Sequence, residues 1–206
     1  MSNLDKLIAY FEKFPGIGGR QARRFAFHLL TLEPEQVDEL ATLIKSLQGS
    51  VAECESCHRF FTKNGGDTKL CSICSDHNRD HSKLMVVERD SDIIAVERSG
   101  TYDGMYFVIG GTIPLLDTKT ATKLRSGALK SVVEHRAANS ELGEIILAFA
   151  VNPDGENTAR YTESLLKELI EAHTLTVTQL GRGLSTGSEL EYADPETLKN
   201  ALQNRH

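Results

Sequence analysis

The four cysteines of the chain fall into two Cys-x2-Cys pairs, a spacing that is typical of metal sites. Cys54 and Cys57 form the first pair, and Cys71 and Cys74 form the second after thirteen intervening residues. Each pair can direct two thiolates at one ion, and four thiolates complete a tetrahedron around zinc without leaving a position for water. The pattern therefore predicts a structural zinc site.

Two other kinds of site also contain Cys-x2-Cys pairs. An iron–sulfur cluster is compatible with the same spacing. A thioredoxin-like redox pair is disfavoured, because neither Cys-x2-Cys pair opens a helix after a strand. Three nearby histidines could replace a cysteine as ligands but are expected at the surface: His58, His77 and His81.

A second candidate site is the glycine corner, the stretch FPGIGGRQARR at residues 14–24. The order helix, Pro-Gly, apolar residue, Gly, helix is the layout of a helix-hairpin-helix. Gly16 and Gly18 let the chain turn there and leave backbone amides bare. The first N–H groups of the second helix have no intrahelical partner, and the helix dipole makes them attractive to an anion. The corner is therefore predicted to hold a DNA phosphate, a contact that positions a protein without reading base sequence.

Three arginines follow the glycine corner. Arg20 and Arg24 are four residues apart and share a helix face, so they can flank a phosphate, whereas Arg23 projects about 100° from Arg24 and ranks third. Residues 1–30 contain five Lys or Arg and two acids, which gives +3 there and −9 for the rest of a chain of net charge −6. A solvated basic face on an ordinary helix–turn–helix connection is the alternative, and the local charge favours DNA.

Three carboxylates are predicted at one edge of an α/β sheet. Glu88 ends an apolar strand, and Asp154 and Glu156 follow another strand that ends near residue 151. The carboxyl ends of parallel strands meet at one edge, where open α/β sheets keep their sites. These acids could bind Mg²⁺, which prefers oxygen ligands, or they could stabilise the start of the following helix. Both interpretations stay open.

The hydrophobic pattern divides the chain into a helical part and an α/β part. Three amphipathic helices are predicted in residues 1–50, followed by an irregular segment at 51–82. The strands predicted after it are 84–88, 106–110, 144–151 and 175–180, and the helices are 91–100, 124–139, 156–173 and 194–203. The alternation predicts a parallel sheet, and the continuous apolar run 144–151 predicts a strand buried on both faces.

Composition limits the class of protein. The chain has 206 residues, of which 40% are hydrophobic and 25% charged, as in folded globular proteins. No stretch approaches the roughly 20 apolar residues of a membrane span, and charges interrupt the apolar pattern at the N-terminus. We therefore expect a cytoplasmic protein without a signal peptide or a membrane partner.

The order of these features resembles the bacterial RecR family of recombination mediators along nearly the whole chain. The matching motifs, besides the cysteine pairs, are PGIG at 15–18 with Ala22, VVE at 86–88, ERSG.Y.G.YFV at 97–108, GE.TA.Y at 155–161 and LEYAD at 190–194. The resemblance implies a multi-part α/β protein with four parts. These are a helix-hairpin-helix DNA-binding unit at 1–52, a four-cysteine zinc finger at 53–82, a Toprim-type parallel-sheet domain at 83–180, and a C-terminal loop and helix at 181–206 that contact another subunit.

The resemblance also implies a function. Family members are non-enzymatic, nucleoid-associated repair factors that bind single- and double-stranded DNA. They form dimers or tetrameric rings that clamp DNA and, with RecO and RecF, load recombinase on gapped DNA. The family's DNA-binding residues fall on Arg20 and Arg24, its zinc ligands on the four cysteines, and its Toprim acids on Glu88, Asp154 and Glu156.

An enzyme with a Toprim domain is the alternative function. A magnesium-dependent nuclease or primase-like transferase would use a metal-bound water beside the three acids. The sequence Asp154-Gly155-Glu156 lacks the Asp-x-Asp that is usual in catalytic relatives. A third interpretation makes the acids a docking surface for protein partners, which is again non-catalytic.

Overall fold

The computed structural model divides the chain into two compact units, Met1–Ala52 and Glu53–His206. It describes residues 1–63, 68–115, 123–181, 183–184, 187 and 189–203. Parts of the predicted finger and of the predicted C-terminal loop therefore lie outside the described residues. Among the helices of the described part, none is both long enough and apolar enough to cross a membrane.

The first unit consists of three helices, as predicted: α1 (Asn3–Phe11), α2 (Gly19–Leu29) and α3 (Pro34–Ser50). The Ser2 hydroxyl caps α1 by accepting a hydrogen bond from the Asp5 N–H at 3.2 Å. Pro34 opens α3, where its missing N–H costs nothing. Ala22 of α2 is fully buried, so the two short helices can approach closely.

Helix α3 carries an apolar face that the described residues leave uncovered. None of its residues is buried. Its exposed large apolar side chains recur at helical spacing: Val37, Leu40, Leu43, Ile44 and Leu47. A contiguous exposed apolar face of this kind is unusual on a monomer and is typical of a surface that associates.

The second unit contains the predicted parallel sheet. A two-stranded ribbon, β1 (Val51–Glu53) and β2 (Phe60–Thr62), precedes this sheet along the chain. The four-stranded sheet has the order β4-β3-β5-β6, and all its strands are parallel. Its strands are β3 (Asp80–Val87), β4 (Gly104–Val108), β5 (Glu144–Ala148) and β6 (Thr176–Gln179). The helices are α4 (Asp90–Ser99), α5 (Ser126–Ala138), α6 (Pro153–His173) and α7 (Pro195–Gln203).

Two hydrophobic clusters form the core of this unit, and β3 contributes to both. Leu84 and Val86 belong to one cluster, and Met85 and Val87 belong to the other, as expected for alternating side chains of a strand. The second cluster includes Cys54, Cys57 and Cys71. The cysteine segment is therefore packed into the core of the α/β unit.

Three element boundaries differ from the sequence prediction by three residues or more. Strand β3 begins at Asp80, four residues early, because its first half is polar and partly exposed and gives no apolar signal. Helix α6 begins at Pro153 because Asn152 caps it, its side chain accepting the Gly155 N–H at 2.8 Å. Strand β5 ends at Ala148, and its burial alternates instead of being complete on both faces.

A partly buried ion pair explains part of the motif at 97–108. Arg79, which follows the second cysteine pair, bonds Glu97 of α4 through both guanidinium N–H₂ groups, at 2.7 and 3.0 Å. The Tyr106 hydroxyl donates to the same carboxylate at 2.6 Å. Hydrogen bonding from Arg79 lowers the pKa of Glu97, so the carboxylate stays ionised. This network ties the end of the cysteine segment to α4 and β4.

Candidate metal centre and nucleic-acid interface

The four cysteines converge on one point, as predicted. Their Sγ atoms all lie within 4.8 Å of one another. The Cys57 and Cys71 Sγ atoms are 3.7 Å apart, close to the ~3.8 Å edge of a tetrahedron whose metal–sulfur bonds are about 2.3 Å. The Cys71 N–H points at the Cys54 Sγ at 3.4 Å, as a donor to a thiolate would. The cluster could bind a metal such as zinc.

The backbone shapes each cysteine pair into a tight turn. The His58 N–H donates to the Cys54 carbonyl at 2.9 Å, and the Ser75 N–H donates to the Cys71 carbonyl at 3.0 Å. His58 adopts a left-handed conformation with φ of 60°, which lets the chain leave the first turn abruptly. The Val108 N–H donates to the Cys57 carbonyl at 2.8 Å, so the first turn is anchored on β4.

The electrostatics of the cluster favour a cation. Cys54, Cys57 and Cys71 are fully buried. Hydrogen bonds with the other three cysteines lower the pKa of Cys54. For Cys57, the hydrogen bonds with the other three cysteines raise the pKa. Four thiolates at this separation would repel one another, and a divalent metal removes that repulsion. The cluster could therefore hold a metal ion with four sulfur ligands.

The histidines take no part in the cluster. His58 was expected at the surface, but its side chain is only 21% exposed and its Nδ1 lies 2.6 Å from the Glu53 carboxylate. The His58 ring packs against Phe107 at 5.2 Å, and Arg125 shares the Glu53 carboxylate at 3.3 Å. The fold therefore uses His58 to brace the first cysteine turn, a role that the sequence pattern did not indicate. His77 is exposed, as expected.

The glycine corner has the predicted geometry. Gly16 has φ of +75°, a value that disfavours any other residue, and the Ile17 N–H closes the turn on the Phe14 carbonyl at 3.1 Å. Gly18 is the N-cap of α2 and supplies no side-chain hydrogen bond. Among the described residues, no side-chain cap hydrogen bond is found at the start of α2, and its first N–H groups have no intrahelical acceptor, which leaves them available to an anion.

The arginines of α2 are exposed and uncompensated. Arg20, Arg23 and Arg24 are all at the surface. Within the described part of the chain, none of the ion pairs involves these three side chains. Positive charge that is not held in such an ion pair can act on a polyanion.

The three acids of the sheet edge have separate local partners. The Glu88 carboxylate accepts the Ala150 N–H at 3.0 Å, joining the ends of β3 and β5. The Asp154 carboxylate accepts the Leu115 N–H at 3.1 Å. Glu156 lies 3.8 Å from Arg160, one turn along α6. In the described residues the cysteines are the only group of three or more potential ligands within 4.8 Å of each other, so the interpretation of the acids as Mg²⁺ ligands stays a prediction.

Two polar residues of α6 that were not predicted to be site residues organise this edge. The buried Thr158 hydroxyl accepts the Ile113 N–H at 2.8 Å, and the Asn157 amide donates to the Ile113 carbonyl at 3.2 Å. Together with Asp154 they hold the segment that follows β4 against the start of α6. The spacing of Asp154 and Thr158, one helical turn apart, was the available signal.

The fold and the cysteine site define a class of protein: a helix-hairpin-helix unit and a four-cysteine metal site joined to a Toprim-type sheet. The helix-hairpin-helix model of RecR matches residues 4–47, the Toprim model matches 82–180, and the C-terminal model of RecR matches 183–206.

Curated relatives extend the match to the whole chain. A protein named Recombination protein RecR from Mycobacterium sp. (strain KMS) is 38% identical over 199 residues, which are 97% of this chain and 94% of the relative. The protein of the same name from Dehalococcoides mccartyi is 38% identical over 202 residues, covering 98% and 93%. That from Lactobacillus acidophilus is 35% identical over 199 residues, covering 97% and 94%. The chain belongs to the RecR family.

Proposed function

We propose that this protein is a non-catalytic DNA-binding accessory factor of recombinational repair. The observation that carries the proposal is the glycine corner at the start of α2, where Gly18 gives no side-chain cap and three exposed arginines take part in none of the ion pairs of the described residues. The family's recombination name and its helix-hairpin-helix model over 4–47 support the same function. Family identity also points to an accessory factor and not to an enzyme.

The proposed DNA contact is made to the phosphate backbone. A phosphate oxygen accepts hydrogen bonds from the first N–H groups of α2, with Gly16 and Gly18 giving it room and Arg20 and Arg24 flanking it. Because such contacts do not read bases, the protein is expected to bind both single- and double-stranded DNA. Arg23 adds charge to the side of the contact.

The metal of the cysteine site is proposed to be zinc in a structural role. Four buried thiolates with a sulfur–sulfur distance of 3.7 Å suit tetrahedral zinc, and the protein leaves no ligand position for substrate. When bound, zinc would neutralise the thiolates and cross-link the two cysteine turns. Cys54, Cys57, Cys71 and Cys74 would hold it.

Self-association and partner docking complete the proposal. One corner offers few phosphate contacts, and each is worth about one unit of salt dependence, so a single copy would bind weakly. A dimer or tetrameric ring would gain affinity by presenting several corners to one DNA. The exposed apolar face of α3 supports burial against a second copy.

Glu88, Asp154 and Glu156 would serve as a docking surface for RecO and RecF, in the loading of recombinase on gapped DNA.

The alternative, a magnesium-dependent Toprim nuclease or primase-like enzyme, has less support. It needs the three acids to converge on one metal, whereas Glu88 and Asp154 each accept a backbone N–H in this structure. Incubating labelled DNA with the protein and Mg²⁺ separates the two functions, since the enzyme would yield cleaved or extended product.

The double substitution Arg20→Glu/Arg24→Glu tests the proposed DNA site. We expect affinity for a labelled oligonucleotide to fall by at least about 100-fold at low salt, because two phosphate-facing cations become anions. Fluorescence anisotropy across a salt series measures the affinity and its salt slope. The control is Lys167→Glu/Arg160→Glu, which makes the same charge change on α6.

The result that would overturn the DNA site is equally specific. If the double variant keeps its metal and its mass and still binds DNA with an unchanged salt slope, the corner is only a turn. A similar loss in the Lys167→Glu/Arg160→Glu control would assign the effect to net charge and not to the corner.

The substitution Ile44→Glu tests self-association. We expect the oligomer to dissociate at micromolar concentration, because a charge is placed in the middle of the apolar face of α3 and would be desolvated by a second copy. Sedimentation velocity measures the mass, with Glu39→Lys on the same helix as the control. A monomeric wild-type protein that binds DNA tightly would contradict the proposal of an assembled clamp.

A further inference from the structure

An acidic side chain lies against the glycine corner. A Cβ built on Gly19, the first residue of α2, would lie 2.8 Å from the Glu12 Oε1 atom and 3.8 Å from its carboxyl carbon. The carboxylate of Glu12 therefore occupies the space beside the first turn of α2 that the missing side chain leaves open. Glu12 itself is the C-cap residue of α1, so the hairpin brings the end of one helix next to the start of the other.

No partner of this carboxylate is found among the residues that the structure describes. The ion pairs and side-chain hydrogen bonds there do not include the Glu12 carboxylate, although Lys13 and Arg20 are close in sequence. Instead, Lys13 lies over the Tyr10 ring at 4.7 Å. The start of α2 beside this carboxylate is the positive end of a helix dipole, which favours a negative charge and would also attract a phosphate.

We propose that Glu12 is an autoinhibitory anion that competes with DNA phosphate for the glycine corner. This inference rests on the proposed DNA-binding function of the corner. A phosphate that approaches the first N–H groups of α2 meets the negative charge of Glu12 and must displace it toward solvent. Binding by one corner is thereby weakened, which makes the protein more dependent on several corners acting together.

The geometry makes the competition reversible. Glu12 is exposed, and its side chain can rotate away without breaking a hydrogen bond of the described structure. The repulsion acts between exposed charges at the protein surface, so it weakens as added salt shortens the Debye length, which is about 8–10 Å at physiological ionic strength. The weakening of DNA binding should therefore be largest at low salt.

The substitution Glu12→Gln tests the inference because it keeps the size of the side chain and removes its charge. We expect DNA affinity at low salt to rise by about three- to ten-fold, with the gain shrinking as salt is added. Fluorescence anisotropy with the full-length, metal-loaded protein measures it. The control is Glu39→Gln, which removes the same charge from an exposed position of α3 and should change affinity by less than about two-fold.

Each outcome decides between the inference and the function on which it rests. If Glu12→Gln and Glu39→Gln bind DNA with equal affinity, Glu12 has no autoinhibitory role. The DNA site would still stand in that case, provided that Arg20→Glu/Arg24→Glu abolishes binding. Undiminished binding by Arg20→Glu/Arg24→Glu would instead refute the DNA site itself. A gain that stays constant up to high salt would also count against a local charge competition.

Discussion

The substitution Cys57→Ser is expected to cost one bound metal per chain and to destabilise the whole α/β unit. The physical reason is that Cys57 lies in the same hydrophobic cluster as Val87, Tyr106 and Val108, and its carbonyl accepts the Val108 N–H at 2.8 Å. Because metal binding contributes directly to folding, we expect the free energy of unfolding to fall by more than about 3 kcal/mol. Urea denaturation followed by circular dichroism measures the change.

The matched control for this prediction is His77→Ser, an exposed residue near the second cysteine pair. It should retain the metal and the stability of the wild type. Inductively coupled plasma mass spectrometry identifies the element, and visible absorbance distinguishes zinc from an iron–sulfur cluster. A Cys57→Ser protein that keeps its metal at full stoichiometry would mean that a histidine or water completes the site, and an intact unfolding curve after chelation would refute the structural role.

The substitution Gly155→Ala is expected to be the most damaging single change outside the metal site. A Cβ at this position would overlap the carbonyl oxygen of Ala150 and lie 2.9 Å from its carbonyl carbon. Both atoms are backbone, so the turn between β5 and α6 must move. Moving it disturbs the Asn152 cap and the hydrogen bond from the Ala150 N–H to Glu88. We expect a loss of more than about 3 kcal/mol in urea denaturation.

For a glycine in another helix, we expect that substitution by alanine does not destabilise the protein. Gly127 lies in the first turn of α5, and nothing is within 4 Å of a Cβ built there. Gly127→Ala should therefore leave stability unchanged or raise it by up to about 1 kcal/mol through helix propensity. If the two alanine variants unfold at the same urea concentration, the close approach of Gly155 to Ala150 does not constrain the turn.

Local features of the structure could be predicted because their causes are local. Two residues between paired cysteines are enough to define a turn, and Gly16 supplies the positive φ that the hairpin needs. The alternation of strands and helices predicted the parallel sheet, since a parallel connection requires a crossover. The predicted start of β3 was wrong because the polar first half of the strand gives no hydrophobic signal.

The three acids show where local reasoning stops. Their types and their positions after strands placed them at one sheet edge, but two of the three acids accept hydrogen bonds from backbone N–H groups far away in the chain. Glu88 bonds a residue 62 positions later, and Asp154 bonds one 39 positions earlier. Such pairings depend on strand register and on the path of a loop, neither of which is encoded in the spacing of the acids.

By itself, the sequence determined the helix-hairpin-helix, the four-cysteine site, the parallel α/β class and the family motifs, because each depends on residue types at short, regular spacing. Only the tertiary structure decided that the cysteine turns pack into the core beneath β3 and β4, and that His58 braces them. It also decided that Glu12 meets Gly19 across the hairpin. These contacts arise when helices and strands are brought together in space, and side-chain spacing along the chain carries no information about that distance.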